Sequence, residues 1–291
     1  MNYVYYPGCS LKGGGKAYEE SMLAVFEELN LKVAEIDDWN CCGATAYMAV
    51  DETKAFALAA RNLALAEKMG TEIVAPCSAC YLGLEKTRMG LEENPELKKE
   101  VKKALAQIGC DYQGNLKVRH PLDILVNDVG VKTIAEHVKK PLKGLKLAAY
   151  YGCQIVRPYS SFDDQQNPHT MEAVLEALGA EMVPFAPKTK CCGGSLTGTM
   201  PEVGMRLCYQ LLREAKRQGA DLIVTVCPLC QFNLDAYQGD IAAKYENVNV
   251  PVVYFTQMMA HAFGLPPAKA ALFRSIVSAE SVVHGKLAAS R

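Results

Sequence analysis

Glu72-Ile73-Val74-Ala75-Pro76-Cys77-Ser78-Ala79-Cys80 and Leu222-Ile223-Val224-Thr225-Val226-Cys227-Pro228-Leu229-Cys230 give the same message twice. Each is a short apolar run of the kind that forms a buried strand, closed by a Cys-x-x-Cys pair. Working outward, Cys41-Cys42-Gly43 lies 34 residues before Cys77, and Cys191-Cys192-Gly193-Gly194 lies 34 residues before Cys227. Cys9 precedes Cys41 by 31 intervening residues, and Cys153 precedes Cys191 by 37. Five cysteines in one order therefore occur twice, offset by 150 at four positions and by 144 at the first. Tyr5-Tyr6-Pro7-Gly8-Cys9 is matched by Tyr150-Tyr151-Gly152-Cys153. The period is too long for a solenoid. It reads as two duplicated domains, 1–141 and 142–291, packed about a pseudo-twofold axis, with the boundary near Pro141-Leu142-Lys143-Gly144.

Strand signals fall at Val4–Tyr6, Lys32–Ile36, Ile73–Ala75, Leu147–Tyr151, Glu181–Phe185, Leu222–Val226 and Val252–Phe255. Between them, Tyr18–Leu29, Lys54–Met69, Met171–Leu178 and Val203–Arg217 carry apolar residues at helical spacing. Asp51 and Pro201 stand where helices begin. Strands alternating with helices imply parallel sheets, so the expected class is α/β with two Rossmann-like domains. Sites in such sheets form beyond the carboxyl ends of the strands, where Cys9, Cys77, Cys153 and Cys227 fall. The charged stretch Pro95–Lys140 reads as helical material separating the two domains. Val252–Leu265, with Met258, Met259 and Phe263, reads as an amphipathic core segment.

The composition narrows the function. Lys and Arg number 31 against 32 Asp and Glu, a net charge of −1, which argues against a bulk electrostatic grip on nucleic acid or anionic lipid. Half the residues are hydrophobic, as in an ordinary globular chain, yet no run reaches the ~18 apolar residues of a membrane span. Neither a secretory signal at Met1–Tyr6 nor a basic amphipathic segment is visible; the tail Lys286–Arg291 is too short to be one. A cytoplasmic, reducing location is expected, and there grouped thiols act as metal ligands or redox groups rather than disulfides.

Five thiols per domain exceed the four that tetrahedral zinc needs. A vicinal pair is also awkward for one ion, because successive side chains diverge. Polynuclear iron–sulfur chemistry is therefore favoured over zinc, with zinc in one site as the alternative. No Cys-x-x-Cys-x-x-Cys run exists, so an ordinary cubane is not indicated. Cys110 and Cys208 have no counterparts and read as core thiols.

These spacings, with Asp38-Trp39-Asn40-Cys41-Cys42-Gly43, Arg119-His120-Pro121-Leu122-Asp123 and Cys227-Pro228-Leu229-Cys230-Gln231-Phe232-Asn233-Leu234-Asp235, resemble the tandem cysteine-rich CCG domain found in the B subunit of CoB–CoM heterodisulfide reductase. The resemblance implies two non-cubane [4Fe–4S] clusters. Cys9, Cys41, Cys42, Cys77 and Cys80 would hold one, and Cys153, Cys191, Cys192, Cys227 and Cys230 the other. It implies reduction of the CoM-S-S-CoB disulfide to two thiols within a complex. Partners would be the iron–sulfur C subunit of that enzyme and its A subunit, which carries flavin and iron–sulfur groups and splits electron pairs, with a hydrogenase or formate dehydrogenase upstream. No flavin- or nucleotide-binding glycine motif is present in this chain.

The same tandem domain also resembles the E subunit of a membrane-attached succinate:quinone reductase and parts of thiol:fumarate reductases and lactate or glycolate oxidases. A bacterial disulfide reductase with another substrate, or an electron-transfer subunit, is the competing function. Anionic coenzymes would need cations at the mouth, and Arg157, Lys188 and Lys190 are the candidates, with Lys12 and Lys16 behind them. Trp39 reads as core, and His120 and His169 as structural residues at helix starts.

Overall fold

The computed structural model describes residues 2–43, 47–159 and 161–289; Ser290 and Arg291 of the tail lie outside the described residues. Strands β1 (Asn2–Tyr5), β2 (Lys32–Glu35), β3 (Glu72–Val74) and β4 (Lys117–Arg119) form one sheet in the order β2-β1-β3-β4. Strands β5 (Lys146–Tyr150), β6 (Glu181–Met182), β7 (Leu222–Thr225) and β8 (Val252–Tyr254) form a second in the order β6-β5-β7-β8. Every pairing is parallel. That follows from connections that are helices rather than tight turns, such as Lys16–Glu28 and Glu52–Glu67 in the first half and Pro201–Arg217 in the second. Asp51 caps its helix by accepting from the Lys54 N–H, and Pro201 occupies a first-turn position where its missing N–H costs nothing.

The expected α/β duplication is thus present, with one correction. Pro95–Lys140 does more than separate two domains, because β4 within it completes the first sheet by pairing with β3. Its signal is weak in the sequence: Val118 is buried between two charged residues, Lys117 and Arg119. The Arg119 guanidinium then pairs with Asp123, Asp128 (3.0 Å) and Glu72 (3.2 Å), which explains the Arg-His-Pro-Leu-Asp motif as an anchor for the strand end. The strand expected at Glu181–Phe185 contracts to two residues.

In both sheets the connections reverse direction between the first and third strands, which opens a crevice beyond the carboxyl edge at that point. One core runs through both halves, joining Met22, Phe26 and Leu63 to Val253, Phe255, Met258, Met259 and Phe263. A smaller one, with Ala148, Tyr150, Leu212 and Ile223, covers the other face of the second sheet. Across the seam, helix Lys16–Glu28 packs on helix Phe255–Ala262. There Ser21 and Thr256, both fully buried, share a 2.7 Å hydrogen bond, and Tyr18 stacks on Tyr254 at 4.5 Å. The amphipathic segment at 252–265 is accordingly β8 and this helix, and it is core. No helix among the described residues is long and apolar enough to cross a membrane.

His120 ties the strand ends together. Its Nδ1 accepts from the Leu122 N–H (3.1 Å) and its Nε2–H donates to the Pro76 carbonyl (2.9 Å), and the Val226 carbonyl of the other half is near enough to oppose part of the effect of burial on its ionisation. Burial disfavours the imidazolium and pushes its pKa down from 6.5 to about 4. A depressed folded pKa means stability that is complete above pH 6.5 and is lost as pH falls towards 4. Urea melts between pH 7 and pH 4 should show that loss, up to about 3 kcal/mol, and His120→Gln should remove the His120 part of the pH dependence, leaving that of His261, which burial also pushes down to about 4.

Candidate metal centres

All ten paired cysteines lie beyond the carboxyl ends of strands. Cys9 follows β1 in the short helix Gly8–Leu11, Cys41-Cys42 lie beyond β2, and Cys77 caps helix Ser78–Glu93 directly after β3. Cys153, Cys191-Cys192 and Cys227 repeat these places after β5, β6 and β7, with Cys227 capping helix Pro228–Ala236. The duplication extends to single bonds. Tyr6 donates its hydroxyl to the Asn40 carbonyl at 2.8 Å, and Tyr150 does the same to the Lys190 carbonyl at 2.8 Å. Tyr6, rather than Tyr5, is therefore the partner of Tyr150. In each half this tether pulls the vicinal pair over the first strand. The Cys42 and Cys80 sulfurs then stand 3.3 Å apart, and the Cys192 and Cys230 sulfurs 3.5 Å.

Two glycines make that approach possible. Gly8 (φ +65°) and Gly152 (φ +71°) sit so close to the last cysteine of their sets that a Cβ would lie 2.9 Å from Cys80 Sγ and 3.0 Å from Cys230 Sγ. Backbone N–H groups also point at sulfur: Gly43 towards Cys41 (3.5 Å) and Gly193 towards Cys191 (3.3 Å).

Cys42, Cys77, Cys80, Cys192, Cys227 and Cys230 are buried, Cys153 is half-buried, and Cys9, Cys41 and Cys191 are exposed, so each set is closed at its base and open at its rim. All five cysteines of the second set line one cavity of about 240 Å³ together with Ser78, Tyr151, Gln154, Gly193, Gly194, Ser195 and Leu229. The sets approach each other: the thiols of Cys77 and Cys227, equivalent residues of the two halves, lie near enough across the seam for each to bias the other's ionisation. A meeting of equivalent residues is what a local two-fold axis produces.

The donor chemistry fits a soft-metal group. Hydrogen bonds from Cys153 and Cys192 and the Gly193 N–H hold the Cys191 thiol down to about 2, while the same contacts push Cys192 up to about 11 and Cys153 upward. Cys227 is held low by Cys230 and Cys77 in the same way. In the second set lowered and raised thiols thus stand side by side, and a bound metal would favour the thiolate form of all of them. Among the described residues, no three His, Cys, Asp or Glu side chains surround a point as closely as a single ion needs. Five sulfurs spread round a cavity suit a group with several metal atoms better than one tetrahedral ion.

Arg157, Lys188 and Lys190 do not line that cavity. Arg157 donates to the Thr189 carbonyl, buried Lys188 pairs with Glu172 (2.8 Å) and the Pro168 carbonyl, and Lys190 is exposed. Lys12 pairs with Glu19 and Glu35. Cys208 is buried and donates to the Cys192 carbonyl (3.2 Å), burial pushing its pKa up to about 12; Cys110 is half-buried against the core. Trp39 is half-buried, edge-on to Tyr6, with its N–H on Glu35 (3.2 Å). Asn233 falls inside the motif that carries the family resemblance without being read as a site residue, yet its buried amide donates to the Gly194 carbonyl (2.8 Å) and approaches Cys192 Sγ (3.6 Å). Comparing the two halves position by position exposes it, because Gly83 stands at the equivalent place.

Residues 3–85 and 147–235 each match the CCG cysteine-rich domain. The chain belongs to this family. It is 34% identical over 282 residues to the 8-methylmenaquinol:fumarate reductase membrane anchor subunit of Wolinella succinogenes, covering 95% of this chain and 97% of that one. It is 33% identical to a protein of Archaeoglobus profundus that is named as like the B subunit of heterodisulfide reductase (93% of each chain). It is 27% identical to the B subunit of the ferredoxin:CoB-CoM heterodisulfide reductase of Methanosarcina mazei (89% and 88%). The fold recurs in the crystal structure of a hypothetical protein from Helicobacter pylori, with a TM-score of 0.76 and 15% identity over 95% of this chain and 52% of that one.

Gly152→Ala tests the close approach. A left-handed residue with a Cβ costs about 1–2 kcal/mol, and here the Cβ also meets Cys230 Sγ. Metal bound per chain, measured by elemental analysis after anaerobic purification, should fall by about half, with Gly8→Ala having the same effect on the other set.

Proposed function

We propose that each cysteine set holds a non-cubane [4Fe–4S] cluster and that the chain is the disulfide-reducing subunit of a heterodisulfide reductase-type complex. The carrying observation is the meeting of two complete sets at Cys77 and Cys227, each with an exposed rim at Cys9 and Cys41 or at Cys191. Iron–sulfur groups bound there would supply one-electron transfer and soft positions for substrate sulfur. The ten cysteines hold the groups, Gly43 and Gly193 offer N–H bonds to their thiolates, and the apolar seam around Tyr18 and Tyr254 excludes water from the base.

No cysteine outside the two sets is placed for thiol–disulfide exchange: Cys208 is buried and Cys110 packs on the core. A reaction of two electrons then has two one-electron ports, and the substrate disulfide would sit between the rims. Electrons would come from two partners, one an iron–sulfur protein and the other a flavoprotein. The Methanosarcina mazei relative, part of an enzyme named for ferredoxin, supports the iron–sulfur donor.

A second reading has its own support in the Wolinella succinogenes relative, a membrane anchor subunit of a fumarate reductase. On that reading the same two groups relay electrons between a quinol and a flavoprotein partner, and no disulfide is cleaved.

Cys42→Ala and Cys192→Ala, made singly in the anaerobically purified complex, separate these readings. Iron analysis should show about four irons lost from each variant, and CoM-S-S-CoB reduction should be abolished in both. Full retention of turnover in either variant would contradict two-port cleavage. A wild-type complex inactive with the disulfide but active in quinol oxidation would establish the relay.

A further inference from the structure

The lining of the second cavity contains one residue from the other half of the chain, Ser78. Ser78 is the first residue of helix Ser78–Glu93, directly after Cys77 at the seam. It is 1% exposed, and its hydroxyl is buried with no hydrogen-bond partner. A buried hydroxyl left unpaired is costly, so an acceptor is expected within its reach. It shares that lining with Cys227, Cys230 and Leu229 of the opposite half. The equivalent position of the second half, offset by 150, is Pro228, which has neither a hydroxyl nor an N–H to offer and packs instead against Gly15 of the first half, where a glycine Cβ would lie 3.1 Å from its own Cβ. The duplication is therefore broken at the position that reaches across the seam.

Building on the cluster reading above, we propose that Ser78 donates a hydrogen bond across the seam to the sulfur of the group held by Cys153, Cys191, Cys192, Cys227 and Cys230, so that the two centres are electronically unequal and the second is the more easily reduced. A donor aimed at a thiolate or sulfide stabilises the extra negative charge of the reduced state and raises the reduction potential. Pro228 holds the equivalent position in the second half and has no hydroxyl or N–H with which to make the same contribution to the first centre. Ser78 acts as a tuning residue; it need not touch substrate.

The test is a redox titration of the full-length chain, purified anaerobically with its clusters and followed by electron paramagnetic resonance. Ser78→Ala should lower the midpoint potential of one centre and leave the other in place, at unchanged iron content. Ser78→Thr, which keeps the hydroxyl, should retain the wild-type value. In a Cys192→Ala background, where only the first centre remains, Ser78→Ala should have no effect. Unshifted potentials, equal shifts of both centres, or loss of iron from Ser78→Ala alone would each overturn the proposal while leaving the cluster reading intact. A wild-type chain without iron would overturn both.

Discussion

Ten thiols gathered at the carboxyl ends of two parallel sheets, with Cys77 against Cys227, form the constraint around which this molecule is arranged. Bringing so many sulfurs together without water requires each to have a partner, and the chain supplies these as neighbouring thiols, backbone N–H groups and close glycine backbone. The seam follows from the same requirement. Shared core, the Ser21–Thr256 bond and the Tyr18–Tyr254 stack hold the two strand edges face to face, so the first half cannot drift without opening the base of both sets.

Much of this is legible in the sequence, because the signals are local or repeated. The cysteine spacing gives the duplication, and the apolar runs ending at Cys77 and Cys227 give strands with a site at their ends. Asp51, Pro201 and the buried Met258 and Met259 also agree with their local pattern. β4 is hidden because Lys117 and Arg119 flank its buried valine, and β6 because only Glu181 and Met182 pair. The roles of Tyr6, Tyr150, Asn233 and Ser78 depend on contacts across 34 to 41 residues or across the seam, which no local pattern records. The basic residues nearest the second set illustrate the converse. Position in the sequence puts Lys188 beside Cys191, while the fold turns its charge inward to Glu172.

Membership in one family is compatible with more than one chemistry. Relatives of nearly equal identity carry names that point to heterodisulfide reductase in one case and to a fumarate reductase membrane anchor in the other. A fold with two cysteine sets at one seam can serve more than one electron-transfer chemistry, and the substrate is decided by the residues at the rim. In this chain the rim is formed by exposed Cys9, Cys41 and Cys191, and the base by buried thiols that a small molecule would reach last.

The central claim is that both sets hold iron and face each other across the Cys77–Cys227 contact. Anomalous diffraction at the iron edge, from crystals of the chain or its complex grown without oxygen, tests it most directly. The account predicts two separate polynuclear iron peaks, one within each five-cysteine set, on opposite sides of that contact. A single zinc peak in each set, or iron confined to one of them, would contradict it.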